Sequence, residues 1–287
     1  MDAPRTAGEM LARAREFLTR KGTGEPRLEA ELLVASALGL SRLQLFLQLD
    51  RPVSEAELAA ARALLGRRGK FEPVAYITGA REFYGRPFRV DSNVLVPRPE
   101  TELIVDLARE RAKTRSFERI ADVGTGSGCL AISLALECSA ARVCAVDISA
   151  GALGVARANA EALGARVDFV EGDGPEALAF AAPFDLLVSN PPYIDPAQRA
   201  SLAIDVREFE PALALFTPEH DREVWLRRLS TATRELVAPE GLVLIELGLG
   251  QAPRALEIAR DAGWIARLHK DFGGIERVLE LSRVKER

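Results

Sequence analysis

At 287 residues, with 48% apolar side chains and a formal net charge of −4, the chain has the length and composition of one large or two unequal soluble globular domains. No run approaches the roughly 18 uninterrupted apolar residues of a spanning helix, and Met1-Asp2-Ala3-Pro4-Arg5 leads into no apolar stretch, so no membrane association and a cytoplasmic location are expected. The acidic balance argues against a duplex nucleic-acid binder, which needs a concentrated basic face. Cys129, Cys138 and Cys144 lie in apolar segments and read as reduced thiols, and with only His220 and His269 besides no metal site is expected.

From residue 5 to about 70 the pattern is helical, rich in Ala and Leu and poor in β-branched residues. Leu28, Leu32 and Ala35 share a face at helical spacing, as do Leu58, Ala61, Leu64 and Leu65 after Ser54-Glu55-Ala56-Glu57, a capping-box signature. Arg67-Arg68-Gly69-Lys70 reads as a basic helix end complementing the macrodipole. Residues 1–71 are thus expected to form a helical domain, a packed bundle or a partner-docking module.

Between 72 and 97 the composition shifts to aromatics, glycine and proline, as in Pro73-Val74-Ala75-Tyr76-Ile77-Thr78-Gly79 and Arg81-Glu82-Phe83-Tyr84-Gly85-Arg86-Pro87-Phe88. Short strands with turns, a β-hairpin linker, fit best. Val96-Pro97-Arg98-Pro99-Glu100-Thr101-Glu102 then enters a helix with Leu103, Ile104 and Leu107 on its apolar face.

From 98 to 287 strand and helix alternate. Residues 119–123, 142–148, 167–171, 184–189 and 242–247 read as buried strands, 129–136 and 150–163 as helices, and 264–281 as a closing hairpin, the pattern of a doubly wound α/β fold with a mostly parallel sheet.

Asp122-Val123-Gly124-Thr125-Gly126-Ser127-Gly128 follows the first buried strand and opens a helix, where open parallel sheets bind ligands. The dinucleotide fingerprint wants a sixth-position glycine where Cys129 stands, and no Gly-Lys-Ser or Gly-Lys-Thr makes a P-loop, so the turn suits close backbone approach without a cradled pyrophosphate. Asp147 ends the second strand about 20 residues on, where an acid takes a ribose hydroxyl pair; capping the next helix is its other reading. Asp173, in Glu171-Gly172-Asp173-Gly174, is placed to accept from an adenine amino group or is simply a turn residue.

Asn190-Pro191-Pro192-Tyr193, at the tip of the strand 184–189, offers a seat for a planar NH2 group. The Asn190 carbonyl accepts a hydrogen bond, the prolines fix backbone carbonyls, and Tyr193 supplies a flat wall.

Taken together, Asp122 to Gly128, Asp147 and Asn190 to Tyr193 resemble the motif set of class I S-adenosylmethionine-dependent methyltransferases acting on planar amino groups, either N6-adenine nucleic-acid or protein glutamine N5-methyltransferases. Glu72 to Gly79 with Arg81-Glu82-Phe83, Val96 to Glu102, Ser189 to Ile194, Phe209 to Leu215 and Asp271 to Val278 are similar to the bacterial peptide chain release factor glutamine methyltransferases, the PrmC/HemK family, over essentially the whole chain. The resemblance implies a Rossmann-like class I methyltransferase fold at 98–287 with a terminal antiparallel hairpin, and a small N-terminal helical domain that helps to bind the release factor. It implies methyl transfer to the glutamine N5 of the Gly-Gly-Gln motif in class I release factors, with S-adenosylhomocysteine as product.

Gly124, Thr125, Gly126, Ser127, Gly128, Asp147, Asp173 and Asn190 would then bind the cofactor. Asn190, Pro191, Pro192 and Tyr193 would bind the glutamine, Asn190 Oδ1 and the Pro191 carbonyl accepting its amide hydrogens. No general base is evident, Arg98 and Glu100 are lid, substrate or surface salt-bridge residues, and a monomer without nucleic acid is expected. Gly174 departs from relatives carrying an aromatic there, so stacking on adenine must come from elsewhere, such as apolar side chains beside Asp147. An N6-adenine methyltransferase and a non-catalytic factor-binding protein are the rival readings.

Overall fold

A computed structural model describes residues 4–139 and 141–283, with backbone alone at residue 219. These residues fall into two units, one reaching to Ala80 and including Ala203–Phe209, the other made of Arg81–Leu202 and the chain from Glu210 on.

The first unit is helical because strong helix formers are punctuated by good caps. Its helices are α1 (Ala7–Lys21), α2 (Pro26–Ala37), α3 (Arg42–Leu47), α4 (Glu55–Arg68) and α5 (Val74–Thr78). Thr6 caps α1 through the Glu9 amide, and Gly22 ends it at φ +72. The capping box before α4 forms: Ser54 Oγ accepts from Glu57 N at 3.3 Å and Glu57 Oε2 from Ser54 N at 2.8 Å.

Leu18, Leu33, Val34 and Leu45 are fully buried in this unit's core, each contributing about 1.5–3 kcal/mol. The apolar face of α2 differs from the one its spacing suggested. Ala30, Leu33 and Val34 face the core together with the expected Ala35, while Leu28 and Leu32 are half-buried. Two glutamates take the remaining buried positions because arginines meet them. Glu31 is held by Arg15 (2.8 Å), Arg42 (2.6 Å) and Arg27 (3.3 Å), and Glu29 by Arg68 (2.7 Å). Burial pushes the Glu31 carboxyl up, but the arginine hydrogen bonds outweigh it and hold it below its ordinary value.

Arg68 does close α4 as part of the basic helix end read from sequence, but it is buried there, and it also reaches Asp205 at 3.3 Å. Another difference lies at 74–78, which is helical rather than extended. The Pro73 carbonyl accepts from Tyr76 N and Ile77 N, and Gly79 ends the turn at φ +76, so local backbone hydrogen bonds close a helical turn where a short strand was expected.

The second unit opens with the hairpin β1 (Ala80–Phe83), whose first residue is counted with the helical unit, and β2 (Arg86–Arg89), then α6 (Glu102–Ala112), β3 (Arg119–Val123), α7 (Cys129–Glu137), β4 (Arg142–Asp147), α8 (Ala150–Leu163), β5 (Val167–Glu171) and β6 (Phe184–Ser189). After α9 (Ile204–Phe209), counted with the helical unit, come α10 (Ala212–Leu215), α11 (Val224–Leu236), β7 (Val237–Glu246), α12 (Ala252–Asp261), β8 (Ile265–Lys270) and β9 (Glu276–Ser282). The sheet runs β5-β4-β3-β6-β7-β9-β8, parallel from β5 through β7 and antiparallel at β9 and β8.

Strand β7 begins at Val237, before the 242 read from sequence, because Val237 pairs with Phe184 across a register irregularity. Only glycine fits there: a Cβ on Gly241 would stand 2.4 Å from Val237 Cγ1. From β3 the chain turns first toward β4 and β5 and then back to β6 and β7, which opens a crevice between the carboxyl ends of β3 and β6. Register aligns the strand tips there: Val123 pairs with Val146 and Ser189, and Ser189 with Ile245.

Candidate active site

The cleft at this edge spans about 1050 Å³ with the open solvent at its mouth counted in, and is bordered by residues from the strand tips, among them Gly124, Gly126, Asp147, Asn190, Pro191 and Pro192. The turn after β3 is tied to β4 by its own backbone, Gly124 N and Thr125 N donating to Val146 O at 2.9 and 3.0 Å. Asp147 locks it further, Oδ2 accepting from Gly126 N at 2.8 Å and Oδ1 from Ser149 N at 2.9 Å. A carboxylate has about four acceptor sites, so both oxygens keep capacity toward the cleft. The capping role open to Asp147 falls to Ser149, whose hydroxyl accepts from Ala152 N.

The loop side chains divide. Thr125 is buried and donates its hydroxyl to Asp122 Oδ2 at 2.6 Å, so only the rest of the residue borders the cleft. Ser127 also borders it, and its carbonyl accepts from Asn159 Nδ2 at 2.9 Å. Gly128 lies outside the lining and packs instead against Ile132 and Ala156. Beneath the loop, burial pushes the Asp122 carboxyl up to about 7, opposed by Thr125 and the Ala131 amide and assisted by Asp147.

Asp173 reaches the cleft edge, but its carboxylate bonds Arg228 Nη1 at 2.9 Å, which lessens its freedom to accept from a base. Backbone geometry explains the neighbouring glycine, Gly174, which sits at φ +79 and ψ −173, a region L side chains avoid; a Cβ there would also stand 2.5 Å from Arg228 Cζ. Arg228 also lies over the ring of Trp225, 5.1 Å from its centroid, and Trp225 borders the cleft together with the half-exposed Ile148. These two flat or apolar surfaces stand where an aromatic at position 174 does not.

Across the cleft, Ser189 Oγ donates to Val123 O at 2.8 Å and joins the two tips. Asn190 Nδ2 donates to Thr101 Oγ1 at 3.2 Å, and Thr101 Oγ1 donates to Glu246 Oε2 at 2.6 Å. Burial pushes Glu246 up to about 7, against the Thr101 hydrogen bond and the charge of Arg277. Tyr193 does not border the cleft: its ring lies against Gly248, where a Cβ would stand 2.6 Å from Tyr193 Cδ2. Burial, then Glu246, push its hydroxyl up to about 12. Arg98 pairs at 2.6 Å with the buried carboxylate of Glu210, which also accepts from Val96 N at 3.3 Å, so it anchors the segment before α6 rather than forming a surface salt bridge.

Thr101, Glu246 and Trp225 escaped the sequence reading. Glu246 had a legible signal, an acid inside the apolar run Leu242 to Leu247. Trp225 and Thr101 had none in their local pattern.

Two protein-family models match, one described as the PrmC N-terminal domain over residues 9–79 and one as the methyltransferase small domain over 101–215. A release factor glutamine methyltransferase from Chlorobaculum tepidum is 43% identical, the match covering 94% of this chain and 95% of the relative. One from Geobacter sulfurreducens is 41% identical over 96% and 95%. Among solved structures, a methyltransferase from Pyrococcus furiosus superposes with a TM-score of 0.51 at 18% identity, covering 78% of this chain and 98% of that one, a likeness of fold. With its strand order and glycine turn, the second unit has the class I methyltransferase fold, and the chain belongs to the release factor glutamine methyltransferase family.

Proposed function

We propose that this chain transfers a methyl group from S-adenosylmethionine to the side-chain nitrogen of the glutamine in the Gly-Gly-Gln motif of class I release factors. One observation carries the reading. Asn190 commits its Nδ2 to Thr101, and its Oδ1 has no partner among the described residues, leaving an acceptor beside the glycine turn.

The residues present fit the cofactor. A Cβ at Gly124 or Gly126 would meet nothing within 4 Å, so the backbone is open to close approach. Asp147 would take the ribose hydroxyls, and Trp225 and Ile148 the base, with Asp173 at its edge. The bound sulfonium supplies an electrophilic methyl carbon.

An amide nitrogen is a weak nucleophile because its lone pair is delocalised into the carbonyl. Asn190 Oδ1 and the Pro191 carbonyl would accept its two hydrogens, turning the lone pair toward the glycine turn and opposing delocalisation. The same fixed acceptors favour the positive charge that develops on nitrogen, so they bind the transition state better than the ground state. Tyr193, packed on Gly248, would hold the shape of the strand tip around Pro191 and Pro192.

By the same reading residues 1–71 are a docking module for the release factor, 72–97 a linker and 98–287 the methyltransferase domain. The enzyme would work as a cytoplasmic monomer; among the described residues no helix is long and apolar enough to cross a membrane.

The test incubates the protein with methyl-labelled cofactor and either a release factor or nucleic acid, followed by mass spectrometry of the Gly-Gly-Gln peptide. A single added methyl on glutamine is expected, and Asn190→Ala should lower turnover by roughly 10²–10³-fold, the cost of losing one preorganised polar contact, while S-adenosylhomocysteine still binds. Label in nucleic acid alone, or wild-type turnover by Asn190→Ala, would overturn the reading.

A further inference from the structure

We propose that Thr101 and Glu246 are positioning residues that decide which end of the Asn190 amide faces the substrate. The inference rests on the function proposed above. The two ends of an asparagine amide are nearly identical in shape and opposite in chemistry, one accepting and the other donating twice. Flipped, Asn190 would present N–H groups to an amide nitrogen whose own hydrogens need acceptors, and the site would lose its grip with no change of shape.

The selection comes from where the hydrogens sit along the buried chain. Thr101 Oγ1 carries one hydrogen. Glu246 Oε2, 2.6 Å away, is acceptor-only when ionised, so it takes that hydrogen, and the length is that of a charge-assisted bond. Thr101 is left with lone pairs, to which only the NH2 end of Asn190 can donate, and it does so at 3.2 Å. Thr101 and Glu246 are each 2% exposed, so no bulk water stands in for either. The three residues come from separate places in the chain: Thr101 from the turn Pro99–Thr101 before α6, Glu246 from the last position of β7, and Asn190 from just beyond β6. The sheet register holds the last two side by side, because Ser189 pairs with Ile245.

Protonation of Glu246 reverses the logic. A protonated carboxyl donates to Thr101 Oγ1, and the hydroxyl hydrogen is then free to point at Oδ1, favouring the flipped amide. Around Glu246 stand Arg277 of β9, Glu100 and Arg98 of the segment before α6, Cys129 of α7, and Tyr193 beyond β6. With burial dominant they leave this carboxyl up near 7, so the relay titrates within the working range.

The test compares steady-state methylation of a release factor by wild type, Thr101→Val, Thr101→Ser and Glu246→Gln from pH 6 to 8.5, with S-adenosylhomocysteine affinity by calorimetry. Thr101→Val, equal in size but without the hydroxyl, should lower kcat roughly ten- to a hundredfold, the worth of a hydrogen bond to a charged group's partner, with cofactor affinity unchanged, and Thr101→Ser should restore it. Wild-type kcat should rise with pH through about 7, a limb absent from Glu246→Gln. A second readout needs no turnover: the Asn190 side-chain NH2 resonance, identified by its loss in Asn190→Ala, should be protected from exchange in wild type and lose protection in Thr101→Val. Retention of wild-type kcat and of NH2 protection by Thr101→Val would overturn the proposal. A wild-type enzyme that fails to methylate release factor would sink the functional reading instead, leaving the resonance experiment to judge the relay.

Discussion

Replacing Gly128 with alanine and Gly124 with alanine separates two demands on the glycine turn. Both residues sit in the left-handed region, at φ +81 and +75, so each substitution carries the cost of an L side chain there, about 1–2 kcal/mol. Their surroundings differ. A Cβ on Gly128 would stand 2.8 Å from Ile132 Cδ1, 3.2 Å from Ala156 Cβ and 3.4 Å from Ala156 Cα, and Ile132 is fully buried and has little room to withdraw. Overpacking of this kind adds about 1–3 kcal/mol, giving a loss of about 2–5 kcal/mol for Gly128→Ala. A Cβ on Gly124 meets nothing within 4 Å, because it enters the space at the cleft. Gly124→Ala should therefore lose only about 1–2 kcal/mol of stability and most of its affinity for S-adenosylhomocysteine, while the folded fraction of Gly128→Ala still binds. Urea denaturation gives the stabilities and calorimetry the affinities. Equal destabilisation by the two substitutions, or undiminished binding by Gly124→Ala, would refute the reasoning.

Two further outcomes are expected. Asp122 and Glu246 are both pushed up to about 7, chiefly by burial, so the stability they contribute is fully present below the unfolded values near 4 and is lost as pH rises through about 7. Carboxylates held low, among them Glu29, Glu31 and Glu280, act oppositely but stay ionised above pH 5.5, so urea midpoints should fall from pH 5.5 to 8. A tenfold change in proton affinity is worth about 1.4 kcal/mol, so each of the two groups accounts for roughly 2–4 kcal/mol, and a midpoint flat or rising with pH would contradict the assignment. Trp225→Ala should weaken nucleoside binding by about 1–3 kcal/mol, the worth of one stacked base, with kcat at saturating cofactor unchanged; unaltered affinity would remove Trp225 from the base wall.

Much of this molecule is written locally. The strands Arg119–Val123, Val167–Glu171 and Phe184–Ser189 and the helix Ala150–Leu163 end where the sequence alone placed them, because buried strands and capped helices are signalled by neighbours a few residues apart. The same holds for the glycine turn and for Asn190 beyond β6. Where local signals competed they misled: the shift to aromatics, glycine and proline after 72 suggested short strands, yet at 74–78 the Pro73 carbonyl and Gly79 make a helix. What the order of residues could not contain was anything that depends on partners distant along the chain. Glu246 becomes a lever on Asn190 only when β7 lies beside β6 and Thr101 is brought between them. Arg68 becomes a buried counter-ion only when Glu29 meets it, and the Asp173 carboxylate is engaged only when Arg228, 55 residues on, reaches it. Hydrogen-bond direction and desolvation act over a few ångströms of space, whatever the separation in sequence, so which end of an amide faces the cleft was decided by the fold alone.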